Sequence, residues 1–399
     1  MGYGHNYVAP RVNVKGIADY LCAKNVLLAH AKTYRQYYED FKSTQGGMVF
    51  ITFSAQWYEP ASVNDTQAAE DSNLFMWDLY IHPIYSSEGD YPQVIKDRVA
   101  SKSLKQGFPR SRLIELSHDE IRYIKGTSDI LALNHYTTFL VYKNDSVTGY
   151  YPAPSLHDDN GAIMFQRNAW KIGDSGYIKS VPWGFHKLLT KIRKYYDNPP
   201  IFICENGFAT HGGLNDNDRI YHLRSYLSVV LDAIEDGSDI RAYTVWSLMD
   251  NFEWTQGYKE RFGLYEVDFD DPDRTRTPRK SAYVYKQIIQ TRTLDYNFEP
   301  QESFNILEFK PEHENIPIVD VVFKATEDPH QLPFYAEPYK NTPKWDFDFE
   351  EKDIYRTIPG LPGEHPVMDF TFEFRHRNQA TIRPSKVALN SNLDNNTVF

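Results

Sequence analysis

The sequence holds only two cysteines, Cys22 and Cys204, among 399 residues, and a single conceivable pair is no disulfide framework. No stretch approaches the roughly 18 apolar residues that a membrane-crossing helix requires. The opening MGYGHNYVAP lacks a basic segment followed by an apolar one, so no compartment can be read from it. Positive charge is scarce as well. Lys and Arg number 43 against 54 Asp and Glu, a net charge of −11 that repels phosphate backbones and anionic lipid heads. Neither nucleic acid nor membrane is therefore an expected partner. There is no Cys/His cluster with metal-ligand spacing, no glycine-rich phosphate loop and no Ser-His-Asp arrangement, so neither metal nor cofactor is expected.

What is present is a globular composition, with 41 % hydrophobic and 15 % aromatic residues, enough to fill a sizeable core. The seven Trp and 29 Tyr are flat amphipathic rings of the kind that stack on the apolar faces of sugars.

Along the chain, residues 16–42 set Tyr20, Val26, Leu27, Ala31 and Tyr34 at helical spacing. Four short apolar runs follow, at 48–53, 129–133 (DILAL), 201–204 (IFIC) and 242–246 (AYTVW). None alternates strictly, which suits strands buried on both faces. Between the last two, Ile220, Leu223, Leu227, Val230, Leu231 and Ile234 recur at three- and four-residue steps behind Asp and Asn capping candidates, predicting a helix over 216–236. Further helices are expected at 185–196 and 281–291. Alternating helices and buried strands mean a parallel α/β sheet with helical crossovers, here with four strands. Residues 301–399 carry ten of the 23 prolines and no helical period. They are expected to be an extended or irregular tail, with a strand at 318–323 at most.

Active sites of parallel α/β folds gather at the carboxyl ends of strands. The residues leaving these runs are Asn134-His135-Tyr136, Glu205-Asn206-Gly207, and Trp246 followed by Asp250-Asn251-Phe252-Glu253-Trp254. A carboxylate, an amide, a phenol and indoles suit carboxylate chemistry on a neutral polyol. A retaining glycosidase needs two carboxyl groups roughly 5 Å apart, one attacking the anomeric carbon and one protonating the leaving oxygen. Glu205 suits the nucleophile, with Tyr136 as hydrogen-bonding partner, Glu253 accepting from hydroxyls and Trp246 as stacking floor. Taken singly, a Glu-Asn-Gly is usually a turn and a Trp is more often core.

Beyond spacing, ICENGF (203–208) resembles the nucleophile motif of glycoside hydrolase family 1, and WSLMDNFEWTQGYKERFGLYEVDF (246–269) is similar to that family's most recognisable stretch. LNHYTT (133–138) resembles its Asn-x-Tyr loop. QWYEP (56–60), HPIYSSEGDYP (82–92), FPRSRL (108–113), VPWGFHKLL (181–189) and RTRTPRKSA (274–282) extend the likeness over roughly residues 2–297. The resemblance implies a (β/α)₈ barrel of the β-glucosidase class hydrolysing β-glycosides with retention. Glu205 would be the nucleophile and Tyr136 its partner. Asn134 would bind near the glycone 2-hydroxyl, Trp246 would stack beneath the ring, Glu253 and Trp254 would bind outer hydroxyls, and Phe262 would lie near O6. Tyr177 stands where many members place an aglycone-side Trp, and Phe139 replaces a frequent basic residue.

GYGHNYVAP resembles the stretch that follows the family's Asn-Glu-Pro acid/base motif. The expectation is therefore a partial barrel, about strands 5 to 8, spanning residues 1–297, ahead of a Pro-rich tail at 298–399. It would lack the acid/base carboxylate and be inactive alone. Tyr58-Glu59-Pro60 imitates that motif but lacks the preceding Asn, and is expected to be structural. The alternative is a sugar-binding or interaction protein without catalysis. The expected ligand is a β-glucoside or related small glycoside.

Overall fold

A computed structural model describes residues 3–4, 8–144 and 154–301. All lie in the first of two compact units, Met1–Glu337; the second, Pro338–Phe399, lies outside the described residues. So do the strand expected at 318–323 and nearly all of the tail expected from residue 298.

In chain order the helices are α1 (Ala18–Asp40), α2 (Lys42–Gln45), α3 (Thr66–Asn73), α4 (Leu79–Tyr85), α5 (Gln93–Lys105), α6 (His118–Ile124), α7 (Leu156–Asn160), α8 (Pro182–Tyr195), α9 (Asn217–Glu235) and α10 (Lys280–Thr291). The strands are β1 (Thr52–Ser54), β2 (Trp57–Pro60), β3 (Leu131–Asn134), β4 (Thr138–Lys143), β5 (Ala162–Phe165), β6 (Ile201–Gly207), β7 (Ile240–Trp246), β8 (Tyr265–Val267) and β9 (Arg276–Pro278).

Three of these strands overlap the apolar runs at 129–133, 201–204 and 242–246, and the fourth begins within the run at 48–53. Together they form one parallel sheet in the order β1-β3-β6-β7. The first run is strand only from Thr52. Just before it, Val49 is tied to Asp129 instead, by its N–H to the carboxylate at 2.7 Å and its carbonyl to the Asp129 N–H at 3.0 Å. One face of this sheet is sealed by helices: Phe53, Leu131, Leu133, Ile201 and Ile203 are 0–5 % exposed. On the other face Thr52, Ser54 and Ala242 are exposed, and Phe202 and Cys204 are half-covered.

Helix α1 buries Tyr20, Ala23, Leu27 and Ala31. The expected stripe is corrected at Val26, which is 37 % exposed, because the buried line runs through Ala23 at i+3 and i+4 steps. Helix α8 begins with Pro182 in its first turn, where the missing N–H costs nothing, and buries Phe185, Leu188, Leu189 and Ile192. Gly184 lets it approach β4: a Cβ there would lie 2.0 Å from Thr138 Oγ1. The capping expected from Asp216 does not occur. Its carboxylate instead accepts from the N–H (2.9 Å) and hydroxyl (2.5 Å) of Ser281, joining the start of α9 to α10.

The three-stranded sheet β2-β4-β5 and helices α3 to α6 go beyond the sequence reading. The sheet continues the line of the main one. β1 breaks at Ala55–Gln56 before β2, β3 breaks at residues 135–137 before β4, and β2 pairs with β4 in parallel.

Candidate active site

That shared break is where the candidate side chains emerge. Register sets Asn134 beside Glu205, and Gly207 beside Trp246, at the carboxyl ends of β3, β6 and β7. In the interrupted segment the backbone groups of a strand still need partners. Gln56 supplies one, its Oε1 accepting from Tyr136 N at 3.1 Å and Thr137 N at 2.9 Å. Asn206 Nδ2 donates to His135 O at 2.8 Å, and Tyr226 Oη donates to Tyr136 O at 3.3 Å. The result is a fixed turn that aims the Tyr136 phenol at the end of β6.

There Tyr136 Oη donates to Glu205 Oε2 at 2.5 Å. Burial first, and the Glu205 charge second, raise the Tyr136 pKa, so the phenol stays protonated as a donor. A charge-assisted bond of this kind fixes the orientation of a carboxylate. Trp246 Nε1 donates to Glu253 Oε1 at 2.8 Å. Burial, with Glu205 nearby, moves the Glu253 carboxyl upward. Phe262, 2 % exposed, meets the Tyr136 ring edge-on, with centroids 6.4 Å apart, and belongs to an apolar cluster with Ile178, Phe208 and Ala209 against which Tyr136 and Trp246 pack. Asn134 Oδ1 is buried without a hydrogen-bond partner among the described residues, an acceptor left over for a ligand.

Behind this layer, His135 is fully buried, stacked on Phe185 at 4.3 Å, with Nδ1 2.7 Å from Ala55 O. Burial pushes its pKa down to about 3. The loop after β7 is anchored by Arg279, whose Nη1 and Nη2 reach Asp250 at 2.9 and 2.8 Å with both side chains fully buried. Gly207 and Gly263 sit where a Cβ would meet Trp246 O at 1.9 Å and Asp250 N at 2.2 Å.

Asn134, Tyr136, Glu205, Trp246, Glu253 and Phe262 are thus brought to one cup. Tyr177 is near enough to act on Tyr136 electrostatically; its own pKa is pushed up to about 12 by burial, Glu260 and Glu253, and its side chain is half exposed. Trp254, directly after Glu253, opens a 3-10 turn and is 71 % exposed. Glu59 is held by Lys187 Nζ at 2.5 Å and Trp57 Nε1 at 2.7 Å. Sequence reasoning passed over Gln56 and Glu260. The first had a signal, since it leaves a strand at its carboxyl end as Asn134 and Glu205 do. The described residues contain no group of three or more His, Cys, Asp or Glu able to hold a metal, and no helix among them is long and apolar enough to cross a membrane.

Comparison with known proteins follows the same outline. The family model described as glycosyl hydrolase family 1 matches residues 1–294. Myrosinase 1 of Brevicoryne brassicae is 40 % identical over 295 residues, covering 73 % of this chain and 62 % of that protein. Human cytosolic beta-glucosidase is 40 % identical over 301 residues, covering 74 % and 63 %. Lactase/phlorizin hydrolase of Rattus norvegicus is 40 % identical over 297 residues, 72 % of this chain and 15 % of that much longer protein. Among solved structures, an aphid myrosinase superposes with a TM-score of 0.67 at 40 % identity, over 72 % of this chain and 62 % of its own. A rice beta-glucosidase gives 0.65 at 30 % identity, over 71 % and 63 %. The chain therefore spans less than two thirds of each of these relatives.

Proposed function

The chain belongs to glycosyl hydrolase family 1, and from that premise we propose that it carries the nucleophile half of a retaining β-glycosidase of the β-glucosidase class. Relatives named β-glucosidase, myrosinase and lactase/phlorizin hydrolase support a glycosidase. The observation that carries the finer reading is the 2.5 Å bond from Tyr136 Oη to Glu205 Oε2. In this reading the Glu205 carboxylate attacks the anomeric carbon, the bond to the leaving oxygen breaks, and water later hydrolyses the glycosyl ester. Asn134, Glu253 and Trp254 bind glycone hydroxyls, Trp246 stacks under the ring, Phe262 closes the O6 side and Tyr177 borders the leaving group. The ligand is a β-glucoside or a related small glycoside.

Residues 1–297 in this proposal form about strands 5 to 8 of the barrel, and the acid/base carboxylate is not among them. The main sheet has four parallel strands among the described residues, where a closed barrel of this kind has eight, which supports that division. The same observation favours a second reading, a sugar-binding protein without turnover. Absent general acid catalysis costs roughly 10²–10⁴ in rate, so disaccharides should go uncleaved.

A dinitrophenyl 2-fluoro-β-glucoside separates the readings, because its leaving group departs as an anion and needs no proton. Mass spectrometry of the treated chain should show a fluoroglucosyl group on the peptide containing Glu205. Labelling elsewhere, or none, removes the nucleophile reading and leaves binding. Ordinary turnover of cellobiose would overturn the absence of the acid/base group.

A further inference from the structure

Between β3 and β4 the backbone passes from strand partners to side-chain partners within one residue. The ladder reaches His135, whose N–H donates to Glu205 O at 2.9 Å. In a regular strand successive N–H groups point to opposite edges. Here the next two, of Tyr136 and Thr137, converge on one atom, Gln56 Oε1, at 3.1 and 2.9 Å. Both are donors, so the Gln56 amide must turn its oxygen toward them. The carbonyl of Tyr136 accepts from Tyr226 Oη at 3.3 Å.

Tyr226 is itself held in place. It is fully buried, and its ring stacks on His222 with centroids 4.1 Å apart. Its Oη accepts from Val181 N at 3.1 Å, which directs the phenolic proton to Tyr136 O. Gln56 leaves the end of β1 and Tyr226 stands on α9, so two elements far apart in the chain grip a single residue. That residue's phenol donates to Glu205 Oε2 at 2.5 Å.

We propose that Gln56 and Tyr226 are positioning residues for the nucleophile: gripping Tyr136 by its N–H and its carbonyl, they hold its phenol on Glu205 and so set the rate of glycosyl transfer rather than the affinity for the sugar. This rests on the nucleophile reading above. With Oε2 held by the phenol, Oε1 forms the bond to the anomeric carbon as the bond to the leaving oxygen breaks and its electron pair departs with the leaving group. Without the Gln56 acceptor, two backbone N–H groups must find other partners, and the turn shifts with the phenol it carries. A displacement of about 1 Å at such a group can cost about 100-fold in rate.

Labelling of the full chain by the dinitrophenyl 2-fluoro-β-glucoside, followed by mass spectrometry over a range of reagent concentrations, tests this. Gln56→Met removes the acceptor at similar volume, and Tyr226→Phe removes the hydroxyl while keeping the ring stack. Each should lower the maximal labelling rate of Glu205 roughly 10- to 100-fold and leave the half-saturating concentration unchanged. A merely structural role would lower Tm without that split. In a Tyr136→Phe background either substitution should change the rate by less than about twofold, because the phenol they aim is gone and the effects are coupled. Equal losses with and without the phenol, an unaltered maximal rate in both single variants, or a loss confined to the half-saturating concentration overturns the proposal while Glu205 remains the nucleophile. If Gln56→Met fails to fold, Tyr226→Phe is judged by the same readouts. No labelling of the unsubstituted chain removes the nucleophile reading and this proposal with it.

Discussion

Replacing Tyr136 by Phe keeps the ring against Phe262 and deletes only the bond to Glu205. A hydrogen bond to a charged group contributes about 1.5–3 kcal/mol, so fluoroglucosyl labelling of Glu205 should slow roughly 10- to 100-fold, by time-resolved mass spectrometry, with Tm little changed. An unaltered labelling rate would separate the phenol from the chemistry. His135 gives a pH dependence of opposite character. Its folded-state pKa, pushed down to about 3, lies below the ordinary 6.5, so the unfolded chain binds the extra proton first. Stability from this residue is complete above about pH 6.5 and is lost as pH falls toward 3, by up to roughly 5 kcal/mol. Urea midpoints measured from pH 7 to pH 4 should decline, and less steeply in His135→Phe.

Elements carry the site only because a few contacts fix their spacing. Gly184→Ala forces a Cβ into Thr138 Oγ1, so α8 must move off β4. Overpacking of this sort costs about 1–3 kcal/mol and should lower the urea midpoint. Asp250→Asn leaves the buried Arg279 with Glu266, at 3.3 Å, as its remaining counter-charge. Removing one partner of such a pair costs about 3–5 kcal/mol, and calorimetry should show it unless α10 detaches. Legibility in the sequence divides along the same lines. The four parallel strands were readable as short apolar runs without strict alternation, and helices α1, α8, α9 and α10 because burial on one helix face leaves a period in the residues. Helices α3 to α6 left little: α5 reads QVIKDRVASKSLK and buries only Ile95, Val99 and Ser103. The cup residues were marked by their exit from strands and by the family likeness. What spacing could not reveal was which neighbour each would meet, as with Asp216, taken by Ser281 rather than capping α9.

At the scale of the molecule, β1 and β7 are the outer strands of the parallel sheet among the described residues, and Thr52, Ser54 and Ala242 lie exposed on one face. A cavity of about 490 Å³ runs beside β1, lined by Tyr58, Phe75, Trp77 and Tyr80 among others. Outer strand edges invite association. The chain alone should sediment as concentration-dependent oligomers. A monomeric sedimentation coefficient at every concentration would contradict this. The ladder register also orders events in time. Ile201 meets Ile240 about 40 positions on, whereas Thr52 waits for Ala132 about 80 positions on, and each doubling of a closing loop adds about 0.6 kcal/mol. The β6–β7 pair, with α9 folded between its strands, is thus the cheaper to assemble, and β1, though made first, is the later to find its neighbour. Pulse-labelled hydrogen exchange during refolding should protect the amides of β6 and β7 ahead of those of β1. The strands that deliver Glu205 and Trp246 are then the nucleus of the chain as well as the floor of its cup.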